Sequence, residues 1–473
     1  MNIKNVSRRD FLKVTGFGLG GATLAACAPA AATSAAAPTE AATAAAATPT
    51  PTPTVEPTTP AAIATGGAPV TLKGASINFL GYAMFVPKMN EIFQSFAIDW
   101  ATQNGVKFNL EMATTSDVAA RVATAIETGQ GPTIVQYASP PANIVDGLTD
   151  ITELADKLAA QQGGWYPAAP AVATVDQKWY AIPLGSHTPV YAWRPDWFTE
   201  AGIEKFPDTW NEFYEAGKVM KKAGHPFGFV LGGSGTPFDG LAHAMVLLWS
   251  YGAKEFEPDG TLVLDSPETI AALEYAIKLH QDANDPGATA YNDATNNQAF
   301  IAEQLSATMN VNTIYLPALT NAPKVAAAMK HALPPQGPAG RFTYQGYPYI
   351  SILNHTEGMD RDAALAFLGD FFAVGQYAQY IKEGRGYLIP LAPTYESLPI
   401  WDIDPKLAIM REAGRLSRWG GFENPSPTKL SAAMVSQFTV AKMFHNAATN
   451  GNAREALDGT LREIEDLQAQ VGG

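Results

Sequence analysis

From Val70 onward, short β-type runs alternate with amphipathic helical runs, and this alternation constrains the fold more than any other feature. "VTLKGASINFLGY" reads as a strand ending in a glycine turn. "PKMNEIFQSFAIDWATQNG" then places Met89, Ile92, Phe93, Phe96 and Trp100 at helical spacing and stops at Asn104-Gly105. "VKFNLEMA" repeats the strand pattern, "SDVAARVATAIETG" the helical one up to Gly129, and "TIVQYAS" is a third strand. Alternation at this spacing predicts a parallel α/β sheet flanked by helices.

Further helices are well punctuated. Thr209 and Glu212 spell a capping box ahead of Trp210, Phe213, Tyr214 and Met220, which share one face. Ser266-Pro267 opens a helix carrying Ile270, Leu273 and Ile277. "RDAALAFLGDFFAVGQYAQYIKEG" predicts one helix closed by Lys382 and Gly384. No internal repeat is present. With 473 residues, 47% of them hydrophobic, two or three domains are expected.

The first 69 residues follow a different logic. Gly16, Gly18 and Gly21 satisfy G-x-G-x-x-G, but no strand precedes them, and an Ala/Thr/Pro tract follows where a dinucleotide fold needs a βαβ unit. Ser7-Arg8-Arg9-Asp10-Phe11-Leu12-Lys13 matches the twin-arginine export motif, so Arg8 and Arg9 are its readable core. Leu24-Ala25-Ala26-Cys27 resembles a lipobox, which makes Cys27 an expected acylated N-terminus; the plain reading is a cysteine in a discarded leader. Residues 27–69 are nearly all Ala, Thr, Pro and Ser. Such a segment buries too little apolar surface to fold and reads as a tether.

Charge excludes some partners. The formal net charge is −14, or about −17 once the basic leader (net +3) is removed, and no Lys/Arg run exists. Nucleic acid is therefore not an expected partner. Cys27 is the sole cysteine, which rules out an internal disulfide or a CxxC metal site. "LAHAMVLLWSYG" is too short to span a bilayer and reads as a buried helix, with Trp249 in the core.

From about Val70 to the C-terminus the chain resembles the extracellular solute-binding proteins of bacterial ABC importers, in the carbohydrate-binding, maltose-binding-protein-like group. "QKWYAIPLGSHTPVYAWRPDWFTEAGIEKFPDTWNEFYEAGKVMKKAG" carries most of the resemblance, with "GPTIVQYAS", "AFIAEQLSATMNVNTIY", "DAALAFLGDFF" and "EALDGTLREIEDL" following in order. Thr133, Trp193-Arg194, Gln304 and Thr313 depart from the family pattern.

The resemblance implies an α/β, two-lobed periplasmic-binding-protein-like fold of type II, with a hinge between lobes. It divides the chain into a leader at 1–26, a tether at 27–69, one lobe from 70–186 plus 316–388 and a second from 190–312 plus 392–473. Crossings are expected near Gly185 to Pro189, Asn312 to Leu316 and Leu388 to Leu391. It also implies a monomer without cofactor, with a sugar ligand, ABC permease subunits and, through Cys27, the lipid bilayer as partners. Polyamines, amino acids and metal complexes remain alternative solutes, since related lobes bind them.

A sugar site needs aromatic faces against pyranose C–H groups and planar polar side chains for paired hydroxyls. At positions the resemblance points to stand Tyr82, Tyr137, Ser139, His187, Phe238, Asp239, Asn312, Tyr347, Tyr349 and Trp419. Each has a plainer reading: the aromatics as core, His187 as a satisfied packing residue, Asp239 as a helix N-cap.

Enzyme motifs fare less well. "GGSGT" around Ser234 lacks the last glycine of a nucleophile elbow, and H-E-x-x-H is absent. The stretch from Asp282 to Asp293 begins like a calcium loop, but Pro286 removes a ligand, so no metal is expected. Carboxylate pairs for glycoside cleavage stay open, because their separation is spatial. An exported carbohydrate-active enzyme is the second function class.

Overall fold

The computed structural model describes residues 71–231, 238–423 and 427–471. The export motif at Arg8 and Arg9, the Cys27 anchor, the 27–69 tether and the Ser234 loop lie outside the described residues.

Two sheets organise the chain. The first has five strands in the order Lys107–Ala113, Ser76–Tyr82, Ile134–Tyr137, Tyr349–Ile352, Ile182–Pro183. The first three run parallel, as the alternation predicts. Tyr349–Ile352 pairs antiparallel with both of its neighbours, so the sheet is mixed rather than parallel. That strand enters from the other lobe and so meets the sheet from the opposite end. Helix Pro87–Asn104 packs over this sheet through Met89, Phe93 and Trp100 and ends at Gly105 with φ 65°, a left-handed cap that glycine adopts without strain.

The second sheet is Ala307–Asn310, Val190–Trp193, Lys330–Ala332, all antiparallel. Val190–Trp193 alternates across it. Tyr191 and Trp193 join a core with Trp210, Phe213 and Phe227, while Val190 and Ala192 join another with Phe300, Leu305 and Met410. Burial on both faces explains why the sequence "VYAW" shows no polar alternation. The expected capping box forms: Glu212 N–H donates to Thr209 Oγ1 at 3.2 Å and Thr209 N–H to Glu212 Oε2 at 3.0 Å. Such caps contribute about 1 kcal/mol.

Four expectations need correction. The segment 316–388 does not return whole to the first lobe. Lys330–Ala332 pairs with Val190–Trp193, and Phe342 and Tyr344 pack in the second core, so the return falls at Gly346. Asn312 to Leu316 touches the first core but is not where the chain changes sheets. Leu391, Ala392, Tyr395 and Ile400 likewise belong to the first core, leaving the second lobe to resume near Leu407. Finally, the single helix expected over 361–384 is two, Gly358–Phe371 and Val374–Gly384. Ala373 is extended (ψ 140°), and the bend lets both Phe371 and Phe372 enter the core, edge to face at 5.2 Å.

The crossings form one backbone-bonded hinge. His187 and Gly346 exchange N–H···O bonds of 2.8 and 3.0 Å, and Ser186 and Ile389 exchange bonds of 2.9 Å each. Gly185 (φ 124°) allows this approach, since a Cβ there would lie 3.0 Å from the Ile389 carbonyl. The described residues lie within one compact unit, Pro60–Gly473. None of their helices is long and apolar enough to cross a membrane.

Candidate functional site

A cavity of about 480 Å³ lies between the lobes at the hinge. Its placement follows from topology. The three parallel strands end there, so Tyr82, Ala113 and Tyr137 all line it. In open α/β sheets the carboxyl ends of strands leave such crevices.

Nine of the ten residues singled out in the sequence line this cavity: Tyr82, Tyr137, Ser139, His187, Phe238, Asp239, Tyr347, Tyr349 and Trp419. Tyr137 OH and Ser351 Oγ are 2.9 Å apart, and the Tyr137 and Tyr349 rings lie 5.8 Å apart. Tyr347 OH donates to Gln345 Oε1 at 2.6 Å. Together these rings make a tyrosine wall on the first lobe.

Asn312 is the exception. It is fully buried, and its Nδ2 donates to the carbonyls of Gly384 (3.2 Å) and Arg385 (2.8 Å). It ties the chain at 312 to the turn at 385, which is a structural role.

His187 stands on the hinge. Its Nδ1 lies 3.1 Å from the Tyr387 carbonyl, so Nδ1 carries the proton and Nε2 remains an acceptor. Burial pushes its pKa down to about 4, against the raising effect of that carbonyl, and the ring is neutral at pH 7. It packs between Tyr387 (4.5 Å) and Phe238 (5.7 Å).

The opposite wall is polar. Asp239, in the first turn of helix Phe238–Ser250, accepts from Asn296 Nδ2 and Asn310 Nδ2, both at 2.8 Å on Oδ2. It is not the acceptor for the turn's own N–H groups. That acceptor is Asp293, which takes Phe238 N–H at 3.1 Å and Asp239 N–H at 3.0 Å. Burial and then the neighbouring Asp293 charge push the Asp239 carboxyl well above the carboxylate range, and the Asn296 bond only partly offsets them. Burial also lifts Asp293, to about 6, although the two N–H bonds pull it down.

Sequence reasoning passed over Asp293, Asn310, Tyr344, Gln345, Tyr387 and Phe438, all of which line the cavity. Tyr344 and Gln345 lie within three residues of Tyr347 in the stretch "YQGYPYIS", residues 344–351, so the sequence carries a signal for them. In the sequence Asp293 stands only as the end of the calcium-like loop, and among the described residues no cluster of three or more His, Cys, Asp or Glu could hold a metal. The departure at Arg194 lies away from the cavity. Its guanidinium pairs with Asp196 (2.6 Å) and Glu303 (2.9 Å) and stacks on Trp197.

A two-lobed body with a hinge-side cavity is a solute clamp by geometry, and the sequence profile of the bacterial extracellular solute-binding proteins matches residues 86–373, more than half of the chain. The chain belongs to that family. The solute-binding protein also resembles solved structures across most of its length. A sugar transporter protein of Arthrobacter chlorophenolicus A6 with bound laminaribiose superposes with a TM-score of 0.73 at 18% identity, covering 83% of this chain and 99% of that one. A maltose-bound protein of T. maritima gives 0.70 at 18% identity, covering 83% and 100%. A solute-binding protein of Agrobacterium radiobacter K84 in complex with ribitol gives 0.69 at 18%, covering 84% and 100%. These likenesses establish the two-lobed fold. In sequence, a binding protein of Brucella abortus (strain 2308) is 29% identical over 121 residues, 25% of this chain and 29% of the relative. The match thus spans less than a third of the curated relatives' length.

Proposed function

We propose that this protein is the membrane-tethered, extracytoplasmic receptor of an ABC importer, that it captures a carbohydrate by closing its lobes, and that it passes the solute unaltered to the permease. The observation carrying this reading is the cavity's make-up: tyrosine faces on one lobe, a carboxyl–amide network on the other, and both meeting at the hinge. Rings of that kind suit the C–H faces of a pyranose, and the amides suit paired hydroxyls. Closure buries the solute, and only its contacts with the second lobe stabilise the closed form. The sugar-bound proteins that share the fold support the same ligand class. Tyr82, Tyr137, Ser139, His187, Phe238, Asp239, Tyr347, Tyr349 and Trp419 are the proposed ligand contacts. Twin-arginine export and an acylated Cys27 would hold the clamp near its permease.

A thermal-shift screen of mono- and oligosaccharides tests the reading. A sugar that raises the melting temperature and is recovered intact supports it. Shortened products would instead mark an enzyme, and a shift only with polyamines or amino acids would move the ligand class.

A further inference from the structure

The described cavity lining contains two carboxyl groups, Asp239 and Asp293, one neutral histidine and no lysine or arginine. Asp239 is 4% exposed, and every hydrogen bond it accepts from a described residue comes from a neutral amide. The network behind it is neutral too: Asn310 Nδ2 also donates to Asn297, and the Thr313 hydroxyl to Asn310 Oδ1. Asp293 has its charge met by two backbone N–H groups at a helix N-terminus, where the dipole favours an anion. Asp239, in the first turn of the same helix, accepts no backbone N–H from a described residue. A buried carboxylate without a cation is costly, so Asp239 keeps its proton unless a cation reaches it.

The same cavity offers further groups to a ligand. Tyr344 and Tyr349 line the cavity at 3% and 2% exposure, and neither hydroxyl bonds a described residue. Phe238, which lies next to Asp239, stands 5.7 Å from both the His187 and Tyr344 rings. Aromatic rings lining the same cavity as a carboxyl group favour a compact cation, the rings through their quadrupole and the carboxylate through its charge.

We propose that the solute presents a protonated amine to Asp239, so that the ligand is an aminated glycan rather than a neutral one. The inference rests on the carbohydrate reading above and narrows it. The amine supplies the positive charge that the lining lacks, and the tyrosine hydroxyls take the remaining polar groups.

Isothermal titration at pH 7 with matched pairs tests this: glucosamine against glucose, and the β-1,4 glucosamine disaccharide against cellobiose. The aminated member is expected to bind at least tenfold tighter, and Asp239→Asn to reduce that ratio below twofold. The asparagine keeps an oxygen for Asn296 and Asn310, so the variant should fold; if it does not, the wild-type ratio decides alone. A neutral member that binds as tightly overturns the amine assignment and leaves the carbohydrate reading standing. An unchanged ratio in a folded Asp239→Asn variant overturns the role of Asp239. Calcium chloride alone raising the melting temperature as much as the aminated glycan also overturns it, because a metal ion would then meet the charge. If no member of either pair binds, the saccharide screen decides: a neutral hit overturns the amine assignment alone, and no hit at all fails the carbohydrate reading and this inference with it.

Discussion

Asp146 Oδ2 and Lys429 Nζ lie 3.0 Å apart, joining the first lobe to the second at the rims of the cleft. Asn143 Nδ2 donates to Ser436 Oγ at 3.3 Å beside them. The lobes are therefore in contact on both sides of the cavity, at the hinge and at this rim.

The rim pair is solvent-exposed, so its contribution is small, about 0.2–1 kcal/mol at low salt. Lys429→Ala is expected to speed ligand release by no more than about fivefold, since that energy range corresponds to such a factor. Stopped-flow release at 20 and 500 mM NaCl checks it. The variant and the wild type should converge at high salt, and a difference that persists there would show that the pair does not act through its charge.

Gly346 faces Phe238 so closely that an added Cβ would lie 2.1 Å from the ring's Cε2. Gly346→Ala should drive the ring toward the cavity. Overpacking of this kind costs about 1–3 kcal/mol, and ligand affinity should fall by about tenfold or more. Affinity that stays unchanged while stability drops would mean the Phe238 ring takes no part in the ligand wall.

Glu255 is buried at 1% exposure, with Gly421 N–H donating to its Oε2 at 2.9 Å. Burial, and then the Glu423 charge, raise its pKa to about 8 from 4.5. The folded protein thus holds a proton that the unfolded chain releases at lower pH. Its stability contribution is complete below pH 4.5 and is lost as pH rises through 8. The slope approaches 1.4 kcal/mol per pH unit within that window. Glu255→Gln should flatten it, raising the melting temperature more at pH 8 than at pH 5. Parallel curves for the two proteins would refute the assignment.

Cys27→Ala should leave ligand affinity unchanged and move the protein from membrane to soluble fractions, and Lys at both Arg8 and Arg9 should block export. Membrane retention of the first variant, read by fractionation and immunoblot, would remove the lipid anchor from the proposal.

Local physics was legible in the chain itself. The strand Ser76–Tyr82, the helix Pro87–Asn104 with its Gly105 stop, and the Thr209–Glu212 capping box depend on periodicity and on neighbours within a few residues, and all three form as expected. Only the tertiary structure decided that Lys330–Ala332 joins Val190–Trp193, that Asp293 serves a helix start 55 residues earlier, and that Asn312 turns away from the cavity. Those outcomes depend on which surfaces remain unpaired after the sheets form, and burial compels each leftover polar group to find a partner wherever the fold brings one. No short stretch of sequence contains that information.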